Sequence, residues 1–264
     1  MKMSKVKIDT ERCIGCGLCV DDCVGCNLSL ESGHAVHNGS KCIECGHCYA
    51  ICPVGAVTID GYDYDGCDET ADMADFDADK LLLAMKSRRS VRHFTDEVVS
   101  DEEMAKILEA GRYCPTAVNY QTTEYLVMRA GAGSKLHDLD MMGRKAYLDA
   151  AERGEDWAKS AKLVPMDESF FFREAPLVIL VSARNPIDGG LAAAYMELMA
   201  ESMGLGVLYV GRFVRAIKMD SKLRDELEIP ASYKPVACLA IGHPDPKYKY
   251  LRGVPRKTLK AREI

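Results

Sequence analysis

The sequence predicts an α+β protein of about two domains, and three observations support this prediction. The chain has 264 residues, a length that corresponds as a prior to about two domains. Nine of its twelve cysteines lie between Cys13 and Cys52, while the remainder reads as helices and strands. An acidic, glycine-containing stretch typical of a linker separates the two parts. We therefore predict a small domain over residues 1–62, a linker over 63–79 and a larger domain over 80–264.

The cysteines of the small domain repeat at a fixed interval. Two runs share the spacing C-x2-C-x2-C-x3-C, and each cysteine of the first run recurs 29 positions later. Three closely spaced thiolates suit three irons of a cube, and a distant fourth completes it. The pattern resembles the ligands of bacterial ferredoxins with two [4Fe–4S] clusters, where the fourth cysteine of each run binds the other cluster. We predict one cluster on Cys13, Cys16, Cys19 and Cys52, and the other on Cys42, Cys45, Cys48 and Cys23.

Two questions remain open in this assignment: the kind of group that the cysteines bind, and the identity of one ligand. Structural zinc commonly takes its thiolates as two C-x2-C pairs, whereas here a third cysteine follows at once in both runs. Disulfides are disfavoured because nothing marks the chain as secreted. Within the first run, Val24 rather than proline follows Cys23, and Cys26 offers a second candidate thiolate. The spacing favours Cys23.

The segments around the cysteine runs predict a small β framework. Residues 6–9 alternate as a short strand does, and residues 56–60 are the expected antiparallel mate. Residues 27–41 are longer than a minimal turn and predict a hairpin insertion. Because cysteines already fill all eight ligand positions, three nearby histidines are predicted to be surface residues. These are His34, His37 and His47.

Charge and hydropathy limit the class of partner. Residues 1–78 carry 5 Lys+Arg against 14 Asp+Glu, net −9, whereas the rest is mildly basic. Nucleic acid is a poor partner for so acidic a module. No apolar run approaches the roughly 20 residues that span a bilayer, and the first residues lack the apolar core of a signal peptide. We expect a cytoplasmic protein that does not bind membranes.

A basic motif follows the acidic stretch. Asp79 is predicted to cap a short helix, after which the chain reads Ser-Arg-Arg-Ser-Val-Arg-His-Phe from residue 87. In an extended segment Arg88, Ser90 and Arg92 project from one side. Two guanidinium groups and a hydroxyl suit a phosphate dianion. Taken alone, the motif is more typical of a cationic surface turn.

The motif is not alone. An amphipathic helix near residues 100–112 precedes Cys-Pro-Thr-Ala-Val-Asn-Tyr-Gln, which ends at Gln121, and a strand follows at 125–128. The two motifs in this order resemble the nitroreductase family of FMN-dependent oxidoreductases. The resemblance covers residues 80–264 and continues at a central apolar strand, residues 175–181. It further predicts a long helix that opens at Asp188.

The resemblance implies a fold, a cofactor and contacts. The fold is a nitroreductase-type α/β sandwich around a mostly antiparallel sheet, usually a homodimer with FMN at the subunit interface. The phosphate and ribityl contacts would be Arg88, Arg89, Ser90, Arg92 and Arg256. The isoalloxazine contacts would be Pro115, Thr116 and Asn119, with Gln121 beside them. Backbone groups at the ring edge would come from Leu208, Tyr209 and Gly211.

The chain departs from the family pattern at several positions. Thr122 and Thr123 stand where the family commonly has proline and tryptophan, which leaves the substrate-side contacts open. Cys114 replaces a common alanine and is either a small buried filler or a redox group. Cys238 is predicted to be core. Within residues 131–173, Trp157, Met166 and three consecutive phenylalanines from Phe170 predict either a lid over the flavin or ordinary packing.

Together these features predict an FMN-dependent oxidoreductase that takes electrons through two internal [4Fe–4S] clusters. Its acceptor would be a small oxidised molecule of the nitroaromatic, quinone or enone class, and its donor reduced ferredoxin or NAD(P)H. The flavin carries the chemistry, so no catalytic side chain is expected. The alternative is a flavin and iron–sulfur redox sensor or electron-storage protein without a dedicated substrate.

Overall fold

The computed structural model describes residues 6–38, 42–65, 67, 76–162 and 164–263, apart from the side chains of residues 160–162. The chain forms two compact units. The first comprises Met1–Phe76 and Thr116–Tyr120, and the second comprises Asp77–Pro115 and Gln121–Ile264. Of the predicted linker, residues 66 and 68–75 lie outside the described residues.

The first unit contains two small antiparallel sheets. Strand β1 (Val6–Ile8) pairs with β4 (Val57–Ile59), which confirms the predicted mates. Strands β2 (Leu28–Glu31) and β3 (His34–His37) form the predicted hairpin. Branched apolar residues such as Val57 and Ile59 point inward and form the core beneath the first sheet.

Two one-turn helices complete the first unit. Helix α1 (Leu18–Asp21) follows Gly17, and α2 (His47–Ala50) follows Gly46. Both glycines have φ near 80°, a left-handed conformation that residues with a Cβ avoid. They occupy equivalent positions in the two cysteine runs. The chain therefore turns in the same way from each ligand loop into the helix that carries the third cysteine.

The second unit is built on a four-stranded sheet. Its strands are β5 (Thr123–Arg129), β6 (Leu177–Ala183), β7 (Gly206–Tyr209) and β8 (Lys234–Gly242). Their order is β5-β6-β8-β7, and every neighbouring pair is antiparallel. All seven residues of β6 are buried, as expected of a central strand. The predicted α+β class and antiparallel sheet are confirmed.

The described part of the second unit has six α-helices. They are α3 (Ala78–Ser87), α4 (Asp101–Arg112), α5 (Leu136–Glu152), α6 (Pro186–Ser202), α7 (Gly211–Met219) and α8 (Ser221–Glu226). Successive residues of β6 alternate between two buried clusters, because side chains along a strand point to opposite faces. Ile107 of α4 and Met196 of α6 pack on one face, and Tyr147 of α5 and Phe213 of α7 on the other. The unit is thus a helix–sheet–helix sandwich.

Helix starts differ slightly from the sequence predictions. Asp77, not Asp79, caps α3, because its carboxylate accepts the Lys80 N–H at 2.9 Å. Both aspartates fit a cap by residue type, and only the backbone geometry distinguishes them. Helix α6 starts at Pro186, two residues before the predicted Asp188, and Asn185 caps it. The amphipathic helix near residues 100–112 is confirmed, with Ser100 and Glu103 forming a reciprocal capping box.

The aromatic segment that the sequence left open is part of the core. Phe170, Phe171 and Phe172 are each at most 4% exposed and pack with Tyr147 and Phe213. Met166 and Trp157 lie against the same cluster. The segment therefore packs within its own unit, which favours ordinary packing over the alternative of a lid above the flavin. Among the described residues, no helix is both long and apolar enough to cross a membrane.

Candidate cofactor sites

Four of the predicted cluster ligands surround one pocket of the first unit. Cys13, Cys16, Cys19 and Cys52 line it together with apolar residues such as Ile8 and Val57. Burial raises the pKa of the Cys19 thiol, and the other three thiols, as charged neighbours, raise it further. A bound metal cluster overcomes such a penalty because it binds the deprotonated sulfur directly. The structure thus gathers the set assigned to the first cluster.

The second set gathers around Cys48. Burial raises the pKa of this thiol to about 11, and nearby Cys45 and Cys42 contribute in the same direction. Cys23 packs with Cys48 against the apolar cluster of Leu28 and Ala35. Cys26 instead is exposed, with a left-handed backbone at φ 47°. The surroundings therefore favour Cys23 over Cys26 as the fourth ligand.

Backbone donors point at the sulfurs. The Asn27 N–H donates to Cys23 Sγ at 3.3 Å, and the Ala56 N–H donates to Cys52 Sγ at 3.3 Å. Both donors lie four residues after their cysteine, so Cys23 and Cys52 have equivalent environments. The Ala35 N–H donates to Cys13 Sγ at 3.4 Å, and the Glu44 N–H to Cys42 Sγ at 3.4 Å. Thiolate ligands accompanied by N–H donors are the surroundings that iron–sulfur clusters use, so the donor set fits two clusters.

One glycine between the ligands is required by space. A Cβ on Gly15 would lie 2.1 Å from the carbonyl oxygen of Gly33, and its φ is 66°. His34 Nδ1 lies 3.1 Å from the Cys13 carbonyl oxygen, and His47 Nδ1 lies 3.2 Å from an Asp22 carboxylate oxygen. These histidines therefore pair with groups other than iron.

The basic motif of the second unit lies beside strand β7. Ser90 forms a parallel bridge with Val207, and the Val91 N–H donates to the Val207 carbonyl at 3.1 Å. Leu208 and Tyr209 are the next residues on that strand. The structure therefore brings the predicted phosphate segment next to the predicted ring-edge segment.

The arginines of the motif divide between two environments. Arg88 Nε donates to Glu197 Oε1 at 2.8 Å, and Glu197 is almost fully buried on α6. Arg89 and Arg92 line a pocket of about 440 Å³ together with Lys249. Strict alternation along an extended strand would have put Arg88 with Arg92. A buried carboxylate needs a paired cation, which accounts for the different direction of Arg88.

Two further acidic groups belong to this region. Glu201 lines the same pocket, and burial raises the pKa of its carboxyl, with the charge of Glu197 adding to the effect. Burial also raises the pKa of the Tyr209 hydroxyl, again with a contribution from Glu197. The pocket is therefore cationic on the Arg89 side and carries a carboxyl group whose pKa is raised by burial.

The other predicted FMN contacts are spread over both units and the C-terminal stretch. Pro115 and Gln121 belong to the second unit, whereas Thr116 and Asn119 belong to the first. Gly211 begins α7, with open space where a Cβ would stand. Arg256 lies in the exposed C-terminal stretch.

The two remaining cysteines of interest are buried. Cys114 Sγ lies 3.8 Å from the Asp188 carbonyl oxygen, and burial raises the pKa of its thiol. Cys238 is 1% exposed on β8, as predicted for a core residue.

Sequence reasoning missed one contact of Asn119. Its side-chain amide nitrogen donates to the Glu44 carbonyl at 2.8 Å, within the first unit. Glu44 lies between two cluster cysteines, 75 positions earlier in the chain. No local sequence signal could have shown this pairing.

Comparison with known families identifies both parts of the chain. Residues 85–243 match the model of the nitroreductase family, and residues 5–53 match that of a 4Fe-4S dicluster domain. The first match covers more than half of the chain. The protein belongs to the nitroreductase family, and it carries an N-terminal 4Fe-4S dicluster domain.

Individual relatives agree with this placement. The chain is 29% identical over 170 residues to an FMN reductase [NAD(P)H] of Bacillus subtilis, covering 62% of this chain and 66% of the relative. It is 27% identical over 164 residues to an NADPH-flavin oxidoreductase of Vibrio harveyi, covering 60% and 63%. The matches span slightly less than two thirds of these relatives' length.

Solved structures show the same fold. A nitroreductase with bound FMN from Bacteroides fragilis superimposes with a TM-score of 0.56 at 22% identity, covering 70% of this chain and 97% of that one. A nitroreductase with bound FMN from Desulfitobacterium hafniense also gives 0.56, at 21% identity, covering 69% and 98%.

Proposed function

We propose that this protein is an FMN-dependent oxidoreductase that receives electrons through its two [4Fe–4S] clusters. It reduces a small oxidised acceptor of the nitroaromatic, quinone or enone class. The observation that carries this proposal is the presence of two gathered cysteine sets in the same chain as a nitroreductase fold. A quinone, for example, takes up two electrons and two protons to become its hydroquinone.

The proposed FMN contacts follow the family resemblance. Arg89 and Arg92 face a common pocket and supply positive charge for the phosphate group. Ser90 lies beside β7, whose Leu208 and Tyr209 are proposed for the ring edge. The other proposed contacts are Arg88, Pro115, Thr116, Asn119, Gln121, Gly211 and Arg256.

The protein's own part in the reaction is to bind and position. FMN exchanges one or two electrons and an iron–sulfur cluster exchanges one, which lets a one-electron donor serve a two-electron acceptor. The cysteine sets hold the clusters, and the N–H donors at Cys13, Cys23, Cys42 and Cys52 stabilise the ligating sulfurs. No side chain is assigned as nucleophile or general acid.

The donor is proposed to be reduced ferredoxin or NAD(P)H. The names of several relatives include NADPH or NAD(P)H, which supports the nicotinamide as one donor. The dicluster domain supports a low-potential one-electron donor in addition. We place the protein in the cytoplasm, where thiols remain reduced for cluster assembly.

A homodimer is proposed for the second unit. Ile187, Leu191 and Tyr195 recur every four residues on α6 and are 70%, 38% and 44% exposed. Leu82 and Leu83 on α3 are exposed as well. Single exposed apolar residues are normal, but a continuous stripe on a helix is typical of an interface.

Anaerobic mixing of the purified protein with each donor tests the electron route. We expect reduced ferredoxin to bleach the flavin of the wild type, and Cys16→Ser to abolish this bleaching because it disrupts the first cluster. NADPH should still bleach the flavin of the variant if the nicotinamide reacts with the flavin directly. Cys26→Ser is the matched control and should behave as wild type.

The outcomes separate the candidate functions. A protein whose clusters stay oxidised while NADPH alone reduces the flavin does not use the proposed route. A protein that accepts electrons but shows no steady turnover with quinones or nitroaromatics is a sensor or storage protein instead. Clear turnover together with loss of ferredoxin-dependent bleaching in Cys16→Ser supports the enzyme.

A further inference from the structure

We propose that Asn119 is a positioning residue for the second [4Fe–4S] cluster and raises its reduction potential. The amide of Asn119 donates to the Glu44 and Ile43 carbonyls in the loop between Cys42 and Cys45, and the Glu44 N–H of this loop donates to a ligand sulfur. The inference concerns the cluster and does not depend on the donor or acceptor of the proposed enzyme.

Asn119 contacts two carbonyls of the ligand loop and the Tyr62 side chain beside it. Its Nδ2 donates to the Glu44 carbonyl oxygen at 2.8 Å and lies 3.4 Å from the Ile43 carbonyl oxygen. It also lies 3.4 Å from the Tyr62 hydroxyl oxygen, and the Tyr62 hydroxyl donates to the same Glu44 carbonyl at 2.9 Å. The Glu44 carbonyl therefore accepts two hydrogen bonds from side chains outside the loop.

The peptide that Asn119 holds also faces the sulfur. The Ile43 carbonyl and the Glu44 N–H belong to one planar peptide group. The Glu44 N–H donates to Cys42 Sγ at 3.4 Å. If this peptide rotates, the donor leaves the sulfur. Hydrogen bonds to ligand sulfurs stabilise the more negative, reduced cluster, so their loss lowers the reduction potential.

The loop needs support because its conformation is unfavourable. Glu44 has φ 54°, a left-handed backbone conformation that residues other than glycine and asparagine adopt rarely. The equivalent residue of the first run is Gly15, which adopts φ 66° without that penalty. A strained residue persists only where its surroundings hold it, and here the holding groups are Asn119 and Tyr62.

The segment that presents Asn119 is strained too. Val118 has φ 44° and Asn119 has φ 53°, and the conformation is particularly unfavourable for the β-branched valine. Two backbone hydrogen bonds close the turn, from Asn119 N–H to Thr116 and from Tyr120 N–H to Ala117, both at 3.1 Å. The turn aims the amide at Glu44, and strain of this kind is concentrated at functional sites.

A redox titration of the full-length protein, followed by EPR, tests the proposal. We expect Asn119→Leu, which has a similar size but no donor, to shift the potential of one cluster to a more negative value. The other cluster keeps its potential, because the Cys13 sulfur accepts its hydrogen bond from Ala35 instead. Asn119→Gln, which retains the amide, should restore part of the shift.

The matched control is Asn38→Leu. Asn38 Nδ2 donates to Ser29 Oγ at 2.7 Å in the same unit, and neither side chain belongs to the loop between Cys42 and Cys45. Unchanged potentials in Asn119→Leu, or an equal shift in Asn38→Leu, would overturn the proposal. So would a shift confined to the flavin. If Asn119→Leu assembles too little cofactor to titrate, Asn119→Ala carries the same expectation, because it also removes the donor and adds no charge.

Discussion

At the scale of single residues, the two candidate fourth ligands of the second cluster are distinguished by their surroundings. Cys23 Sγ accepts the Asn27 N–H and packs beside Cys48, whereas Cys26 is exposed. The hydrogen bond at Cys23 repeats the one at Cys52, four residues upstream of the donor in both runs. The sequence spacing favoured the same residue, and the structure adds the reason.

Exchange of each cysteine for serine should therefore give different results. We expect the Cys23→Ser protein to lose one [4Fe–4S] cluster or to hold it incompletely. Serine would replace a thiolate that accepts the Asn27 N–H and packs against apolar residues. Iron content should fall by up to about half, since the two clusters hold equal iron. Cys26→Ser should keep full iron content and the wild-type EPR spectrum. Full iron in Cys23→Ser together with a deficit in Cys26→Ser would reverse the assignment.

A buried ion pair stabilises the second unit. Asp140 Oδ1 lies 2.9 Å from Arg144 Nε, and Asp140 Oδ2 accepts the N–H groups of Phe171 and Phe172 at 2.8 and 3.3 Å. Burial raises the pKa of Asp140, while these N–H groups and Arg144 oppose that shift. The carboxylate thus joins α5 to the aromatic segment that follows it.

Removal of this carboxylate should be costly. We expect Asp140→Ala to destabilise the unit by about 3–5 kcal/mol, because it leaves Arg144 and two buried N–H groups without their acceptor. For a unit of this size that corresponds to a fall in Tm of roughly 6 °C or more. Asp149→Ala breaks only the exposed pair with Lys145 and should change stability by about 1 kcal/mol or less. Equal effects of the two variants in thermal unfolding would contradict this explanation.

At the scale of elements, helices and strands with a regular apolar pattern could be predicted from the sequence, and those shaped by tertiary contacts could not. Helix α4 was predicted from its amphipathic pattern, and strand β6 from a continuous apolar run that also continues the family resemblance. Helix α5 was not predicted. Its buried face includes Asp140 and Gly143, which interrupt the apolar stripe.

The reasons for those interruptions lie elsewhere in the chain. A Cβ on Gly143 would lie 2.8 Å from Phe171 and 3.1 Å from Phe213. Asp140 is retained for the N–H groups of Phe171 and Phe172. Long-range partners of this kind, like the Asn119 contact with Glu44, leave no period in the sequence. The cluster ligands could be proposed from the sequence because their spacing itself carries the chemistry.

The docking of the basic segment beside β7 depends on a glycine. A Cβ on Gly206 would lie 2.4 Å from Val91 Cγ2. We expect Gly206→Ala to push residues 88–92 away from the strand and to lower FMN retention on purification, measured by flavin extraction. Gly253→Ala is the control, because its Cβ would meet only the Lys86 carbonyl oxygen, at 3.5 Å. Full FMN retention in Gly206→Ala would show that the segment does not depend on this close approach.

At the scale of the whole molecule, the chain joins two redox modules of different charge. Residues 1–78 carry a net charge of −9, while the complete chain carries −6, so the remainder is net positive. Each four-thiolate cluster adds negative charge to the first part. If the donor binds to the N-terminal part, as proposed, it meets a net negative segment, and salt should affect the rate of their encounter.

The second unit presents the stripe that we assign to a homodimer. Adjacent members of Ile187, Leu191 and Tyr195 are four residues apart, so all three lie on one side of α6. Because the family resemblance implies that FMN lies at a subunit interface, an intact stripe should also be needed for flavin binding. Dimerisation and FMN content should then change together.

A charge in the centre of the stripe tests this link. We expect Leu191→Glu to halve the mass measured by light scattering and to lower FMN content, because the dimer would have to bury an unpaired carboxylate. Val98→Glu places the same charge at a residue that is 67% exposed in the loop before α4, and it should remain dimeric. A Leu191→Glu protein that keeps its mass would place the interface elsewhere. One that becomes monomeric with full FMN would show that each subunit binds its flavin alone.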